Sequence, residues 1–229
     1  IRITNKLRNE SYYYFRPEYL EYLADTIQER FAVDMRMVTA PGIPPAAMQP
    51  YRFGDVDVRL YSATGDGEPD SLEYNGVKVW YQKPLKIRPR ILSESLAIEP
   101  GTPSNLADIN ATLNSLTRLG IFRYVNLNVT PLDSLRGADS LNMLITAAFD
   151  PPLEAEFDVD FSHTSSSFIG PGVTFGVRNK NFLRGGEHFS IRLNGSYEWQ
   201  TGNTSSQLNA STINSYEVGV TSSLMFPRM

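Results

Sequence analysis

Cysteine is absent from the 229 residues, which removes disulfides, thiol nucleophiles and thiolate metal sites from consideration. Histidine is nearly absent too: His163 and His188 are the two present, and neither has a partner at ligand spacing. There is no excess of basic charge. Lys plus Arg number 21 against 25 Asp plus Glu, a net charge of −4, which argues against nucleic acid as a partner. No apolar run approaches the ~18 residues that a membrane-spanning helix requires. That last absence does not exclude a membrane. A transmembrane strand alternates its two faces over ~9–11 residues and averages near neutral, so a mean hydropathy of −0.28 is compatible with a barrel. The chain starts at Ile1 without a cationic, apolar leader, which fits either a processed protein or a sequence that starts within a longer one.

The chain changes its patterning twice. In residues 1–50, Pro17 suits the first turn of a helix, and Leu20, Leu23, Ile27 and Phe31 recur at helical spacing, so a helix is expected there. The Tyr12–Phe15 aromatic run before it reads as packing at the helix entry. Pro41, Gly42, Pro44, Pro45 and Pro50 then break regular structure and mark a boundary. This stretch reads as the end of a preceding module.

Residues 51–150 predict a mixed α/β domain. Phe53, Val56, Val58 and Leu60 roughly alternate, and Val77, Val79 and Tyr81 give another short extended segment. A short helix is expected from about Ile91 to Ile98, ended by Pro100–Gly101. A second starts near Ser104 or Asn105, with Asp108 favourable in its first turn, and Ile109, Leu113, Leu116 and Leu119 as its buried stripe. Gly120 stops it. Phe122, Tyr124, Leu127 and Val129 begin a strand, and Leu141 to Ile145 another. Two amphipathic helices on one face of a small sheet would bury both.

Residues 153–229 carry no helical signature. Ala155, Phe157, Val159 and Phe161 alternate with Glu154, Glu156, Asp158 and Asp160. Val173, Phe175 and Val177 do the same, then Phe189 to Trp199, then Tyr216 to Phe226. Connections alternate short and long, and Asn179, Asn181, Gly185 and Gly186 suit a tight turn. A soluble all-β sandwich, one face of a long twisted sheet and a membrane barrel all fit this pattern. Four strands cannot close a barrel, which needs at least ~8.

Three groups of residues carry a family likeness. The first is Tyr51–Arg52–Phe53–Gly54–Asp55–Val56. The second runs from Leu92 to Val125, with Pro100–Gly101, Thr112, Leu116 and Leu119–Gly120–Ile121–Phe122. The third is Phe168, Gly170, Gly172, Val173, Gly176, Arg178–Asn179–Lys180–Asn181–Phe182 and Arg184–Gly185–Gly186–Glu187, followed far downstream by Phe226–Pro227–Arg228. In order and spacing the chain resembles the barrel-assembly insertases of bacterial outer membranes, BamA-like proteins with periplasmic polypeptide-transport-associated (POTRA) domains before a sixteen-stranded barrel. The third group looks like the form found in Bacteroidetes-type bacteria.

The resemblance implies an α+β POTRA domain (β-α-α-β-β) at 51–150, the tail of a preceding one at 1–50, and the first about four strands of an antiparallel transmembrane barrel at 153–229. It implies assembly of outer-membrane barrel proteins without covalent chemistry or cofactor. The partners implied are unfolded barrel proteins, outer-membrane lipid and periplasmic or lipoprotein accessory subunits. Client capture would fall on the edge strand Ile121, Phe122, Arg123, Tyr124, Val125, Asn126, Leu127, Asn128 and Val129. The opening seam would fall on Glu154, Ala155, Glu156, Phe157, Asp158, Val159, Asp160 and Phe161, which otherwise read as an ordinary closed strand. The four carboxylates read as lumen lining rather than a glycosidase-like acid pair, with Arg178 and Arg192 as candidate counter-charges. A partner-secretion pore of the same superfamily, or a soluble periplasmic binding module, are the competing readings.

Overall fold

The computed structural model describes residues 2–27, 32–64, 67–131, 139–163, 168–200 and 214–227. The chain divides into two compact units: residues 1–118 with 122–148, and residues 119–121 with 149–228.

The first unit starts with helix α1 (Arg2–Asn9), followed by a 3-10 turn at Pro17–Tyr19 and two strands, β1 (Leu20–Ile27) and β2 (Ala32–Thr39). The helix expected from Pro17 onward is therefore a hairpin. Its eight pairs run from Leu20↔Thr39 to Ile27↔Ala32. Leu20 and Leu23 share a helical face, but on a strand they point to opposite sides. Leu23 remains 54% exposed, so no buried stripe is formed. The decisive signal lies in the partner segment, where Val33, Met35 and Met37 alternate with Asp34 and Arg36. Phe31, the last member of the expected stripe, lies outside the described residues. Pro17 serves the 3-10 turn instead.

The rest of the unit is a five-stranded sheet with helices. β3 (Arg52–Tyr61), β4 (Pro69–Tyr74), β5 (Val77–Gln82), α2 (Pro89–Glu94), α3 (Leu106–Arg118), β6 (Phe122–Pro131) and β7 (Ser140–Phe149) follow in sequence. Their order across the sheet is β4-β5-β3-β7-β6. β3 runs parallel to both β5 and β7, and the register with β7 shifts between Phe53 and Val56. This irregularity explains why Phe53 and Val56 are both buried although three positions apart. Asn142 fills the kink: its Oδ1 accepts the Asp55 N–H at 3.0 Å.

β7 alternates cleanly, with Leu141, Met143, Ile145, Ala147 and Phe149 buried. α3 starts as its sequence predicts, Asn105 Oδ1 accepting the Ala107 N–H at 2.7 Å. Ile109, Thr112 and Leu116 form its buried face. Thr112 does more than fill space. Its Oγ1 accepts the Ala97 N–H at 2.9 Å, fastening the segment after α2 to α3.

The second unit contains β8 (Leu153–His163), β9 (Phe168–Asn179), β10 (His188–Gln200) and β11 (Asn214–Met225). They form an open antiparallel sheet in the order β11-β10-β9-β8.

Candidate functional site

Two surfaces hold the residues singled out from sequence. The first is β6, which ends the five-stranded sheet and has β7 on its inner side. Phe122, Val125, Leu127 and Val129 are half-buried, whereas Arg123, Tyr124, Asn126 and Asn128 are exposed. The alternation thus slips at Arg123–Tyr124, two residues earlier than the sequence spacing suggests. Ile121 lies before the strand and is buried, its carbonyl accepting the Asp150 N–H at 2.8 Å. An outer strand leaves alternate main-chain groups pointing away from the sheet, and nine residues without proline before Pro131 give a long pairing edge.

The second surface is the four-stranded sheet, whose two faces are set by its register. Glu156, Gly176, Arg192 and Thr221 share one rung, and Phe157, Phe175, Leu193 and Val220 share the next on the opposite face. The polar face is cross-linked by charge. Arg192 Nη2 donates to Glu156 Oε2 at 3.1 Å, and Arg178 Nη1 lies 4.0 Å from Glu154 Oε2. Arg192 reaches Glu156 across β9, where residue 176 is glycine. A Cβ there would lie 3.3 Å from Glu156 Oε2 and 3.9 Å from Arg192 Nε. Gly172 has the same relation to Asp160, whose Oδ1 would be 2.6 Å from an added Cβ. Gly170 faces backbone instead, and a side chain there would run into the Tyr197 carbonyl.

The apolar face is open. Phe157 is 67%, Val159 66% and Val220 70% exposed. Aromatics gather at both ends of this face. Phe161, Tyr197 and Trp199 cluster at one end, with ring centroids 6.3 Å (Phe161–Trp199) and 6.1 Å (Tyr197–Trp199) apart, while Phe182 and Phe189 are 4.8 Å apart at the other. From Phe189 to Trp199 the strand covers about 33 Å at ~3.3 Å per residue. Tilted by ~40–45°, as barrel strands are, it spans about 24 Å, close to the ~25 Å apolar band of outer-membrane barrels.

The hairpin between β9 and β10 is closed by its own polar groups. Asn179 Oδ1 accepts the Asn181 N–H at 2.9 Å, Asn181 Oδ1 accepts the Gly186 N–H at 3.1 Å, and Glu187 Oε2 accepts the Gly185 N–H at 2.8 Å. Glu187 is buried by this. Gly186 has φ +80°, and a Cβ there would approach the Leu119 carbonyl at 2.9 Å, so both the turn and its surroundings require glycine.

Lys180, just past the end of β9, belongs to the turn motif, and its role depends on residues distant in sequence. Its Nζ lies 2.8 Å from Asp150 Oδ2 and 2.5 Å from Glu154 Oε1, and its N–H donates to the Pro152 carbonyl at 2.8 Å. The segment from Asp150 to Glu154 is thereby stapled to the turn. The hydrogen bond it donates to Asp150, then that to Glu154, holds the ammonium above the usual lysine value. Lys180→Met is expected to destabilise this unit by about 1 kcal/mol, the value of a charge-assisted hydrogen bond reduced for partial exposure. Because the folded pKa is raised, the contribution is complete below about pH 10.4 and lost as pH rises through the higher folded value. Urea titrations of both proteins should differ at neutral pH and converge in strong alkali.

Among the described residues, no group of three or more His, Asp and Glu side chains is arranged to hold a metal ion. No helix among them is long and apolar enough to cross a membrane, which says nothing about crossing by strands.

No family model matches the sequence, and no curated protein is significantly similar to it. Among solved structures, the chain is similar to BamA from Haemophilus ducreyi lacking POTRA domains 1–3, at 12% identity and a TM-score of 0.49, over 97% of this chain and 40% of that one. It is similar to CdiB from Acinetobacter baumannii at 11% identity and a TM-score of 0.44, over 86% of this chain and 31% of that one. The N-terminal domain of Omp85 from Thermosynechococcus elongatus matches at 12% identity and a TM-score of 0.27, over 58% and 76%. The chain therefore spans less than half the length of the first two.

Proposed function

We propose that this chain is part of an outer-membrane protein in which a periplasmic α+β domain leads directly into a transmembrane antiparallel barrel, with β8–β11 as its first strands. The observation that carries this is the two-faced sheet: strands of 11 to 13 residues, one face apolar and open with aromatics at both rims, the other polar and ion-paired. In a soluble protein so large an apolar surface would be covered. In a bilayer it is the surface required.

Within that class, we infer a barrel-assembly insertase of the POTRA-plus-barrel kind. Unfolded outer-membrane proteins would add as extended strands to β6, and β8 would offer a second template edge at the barrel seam. Main-chain pairing is indifferent to most side chains, which suits a receptor with many clients. Lipid and periplasmic or lipoprotein accessory subunits complete the expected partners. The work is non-covalent throughout.

Proline scanning of β6 tests capture. Neighbouring residues direct their N–H groups to opposite sides of a strand, so of Asn126→Pro and Leu127→Pro one removes a ladder bond to β7 and the other an outward donor. The variant that keeps its fold by circular dichroism should lose most photo-crosslinking to an unfolded barrel client. Undiminished crosslinking in that folded variant would refute capture at β6.

A further inference from the structure

The five-stranded sheet has two outer strands, β6 and β4, and they are not equivalent. The ladder between β4 and β5 can be phased. The Lys83 N–H donates to the Glu68 carbonyl at 2.9 Å, making that pair hydrogen-bonded. At the other end Asn75 and Gly76, with φ of 52° and 73°, form a two-residue turn of the type that closes on a bonded Tyr74–Val77 pair. Bonded and non-bonded pairs alternate in an antiparallel ladder, so Asp70 and Leu72 face β5. Pro69, Ser71 and Glu73 direct their main chain outward.

Two of those three outward positions cannot receive a strand in the usual way. Pro69 has no N–H. The Ser71 N–H is already taken, donating to Asp70 Oδ1 at 2.9 Å. Glu73 alone is left to donate along the outer edge of a six-residue strand. The Asp70 carboxylate is itself anchored, its Oδ2 accepting the Tyr81 hydroxyl at 2.8 Å and lying 3.3 Å from Lys83 Nζ. The Tyr81 hydrogen bond, then those from Ser71 and Lys83, hold its carboxyl below the usual range, so it remains an ionised acceptor in mild acid.

We propose that β4 is a closed edge, and that this sheet admits an added polypeptide strand at β6 alone. Proline and inward-held charge are the devices by which natural sheets prevent edge-to-edge pairing. The inference rests on reading β6 as the capture edge. It adds that the sheet has one docking edge and takes one client at a time. An edge open on both sides would let two clients, or two copies of the protein, pair on the same domain.

The test uses the full chain in detergent with a photo-crosslinking residue at Glu73 or at Asn128, in separate preparations. The probe is a synthetic peptide with the sequence of residues 188–200. Wild type should crosslink from 128 and not from 73. Pro69→Thr with Asp70→Ala restores both donors and should raise crosslinking from 73 by about tenfold. Asp70→Asn keeps an acceptor for the Ser71 N–H and should stay closed, while Pro69→Thr alone opens one position and should fall between.

Equal crosslinking from 73 and 128 in wild type overturns the proposal. So does a folded double variant that stays silent at 73 and monomeric. If the peptide crosslinks from neither position in any variant, capture at β6 is what fails. The closed edge is then judged by self-association: the double variant should form dimers crosslinked through 73 that wild type does not, and their absence refutes it.

Discussion

In the whole barrel protein proposed above, Leu193→Arg is expected to cost about 2–4 kcal/mol in folding from urea into lipid bilayers, while Asn194→Arg, one residue along, costs ~1 kcal/mol or less. Leu193 occupies the middle of the apolar face, on a rung with Phe157, Phe175 and Val220. An arginine there would sit at the midplane with no counter-charge and no water within easy reach. Asn194 faces the other way, on the rung of Asp158 and Thr174, where a new cation meets an existing carboxylate. Tyr197→Arg separates a membrane from an ordinary protein core. It lies four positions along the same face as Leu193, in the aromatic rim, where a cation can reach the headgroups. Its penalty should fall to ~1 kcal/mol or less. In a sandwich core no such gradient with depth is expected. Equal costs at 193 and 197 would therefore remove the barrel from consideration.

The elements differed in how much of them could be read from sequence, and the difference follows their environment. β8 to β11 were legible because each has one apolar and one polar side and needs no partner to reveal it. The turn from Arg178 to Glu187 was legible because Asn and Gly there close it with their own groups. α3 was legible from Ile109, Leu116 and its Asn105 cap, although Leu113 is half-buried, Thr112 takes the buried position beside it, and Leu119 lies just past the helix end.

β4 was not. Pro69, Asp70 and Glu73 are poor strand formers, and the segment is extended because β5 pairs with it. The Asn75–Gly76 dipeptide was the available signal for that hairpin. α1 was also missed: it is eight residues long, and Thr4 is its one buried residue. The hairpin of β1 and β2 was misread because helical spacing in one segment was weighed without the alternation in the next. At the candidate sites, types and positions were visible but partners were not. Arg192 was a candidate counter-charge, yet its choice of Glu156 over Asp158 or Asp160 depends on a register passing through Gly176.

The second large effect concerns the strand that carries β6. Leu141→Ala should destabilise the α+β unit by about 2–5 kcal/mol, against less than ~1.5 kcal/mol for Leu144→Ala. Leu141 is fully buried on β7, opposite Phe53 of β3, and Leu144 is on the half-buried face of the same strand. The truncation removes contacts around the side chain and leaves a cavity that the neighbouring strands cannot close without moving together. β7 is the inner neighbour of β6, so the loss is transmitted to the proposed capture edge by loosening the ladder that holds it. Hydrogen exchange should report this directly: amides of β6 and β7 should lose protection together in Leu141→Ala, with those of β8–β11 unchanged. Client crosslinking from Asn128 should fall in step, because a strand can template another only while it is itself held straight. If Leu141→Ala left β6 protection intact, or if Leu144→Ala matched it, β7 would not be the support of that edge.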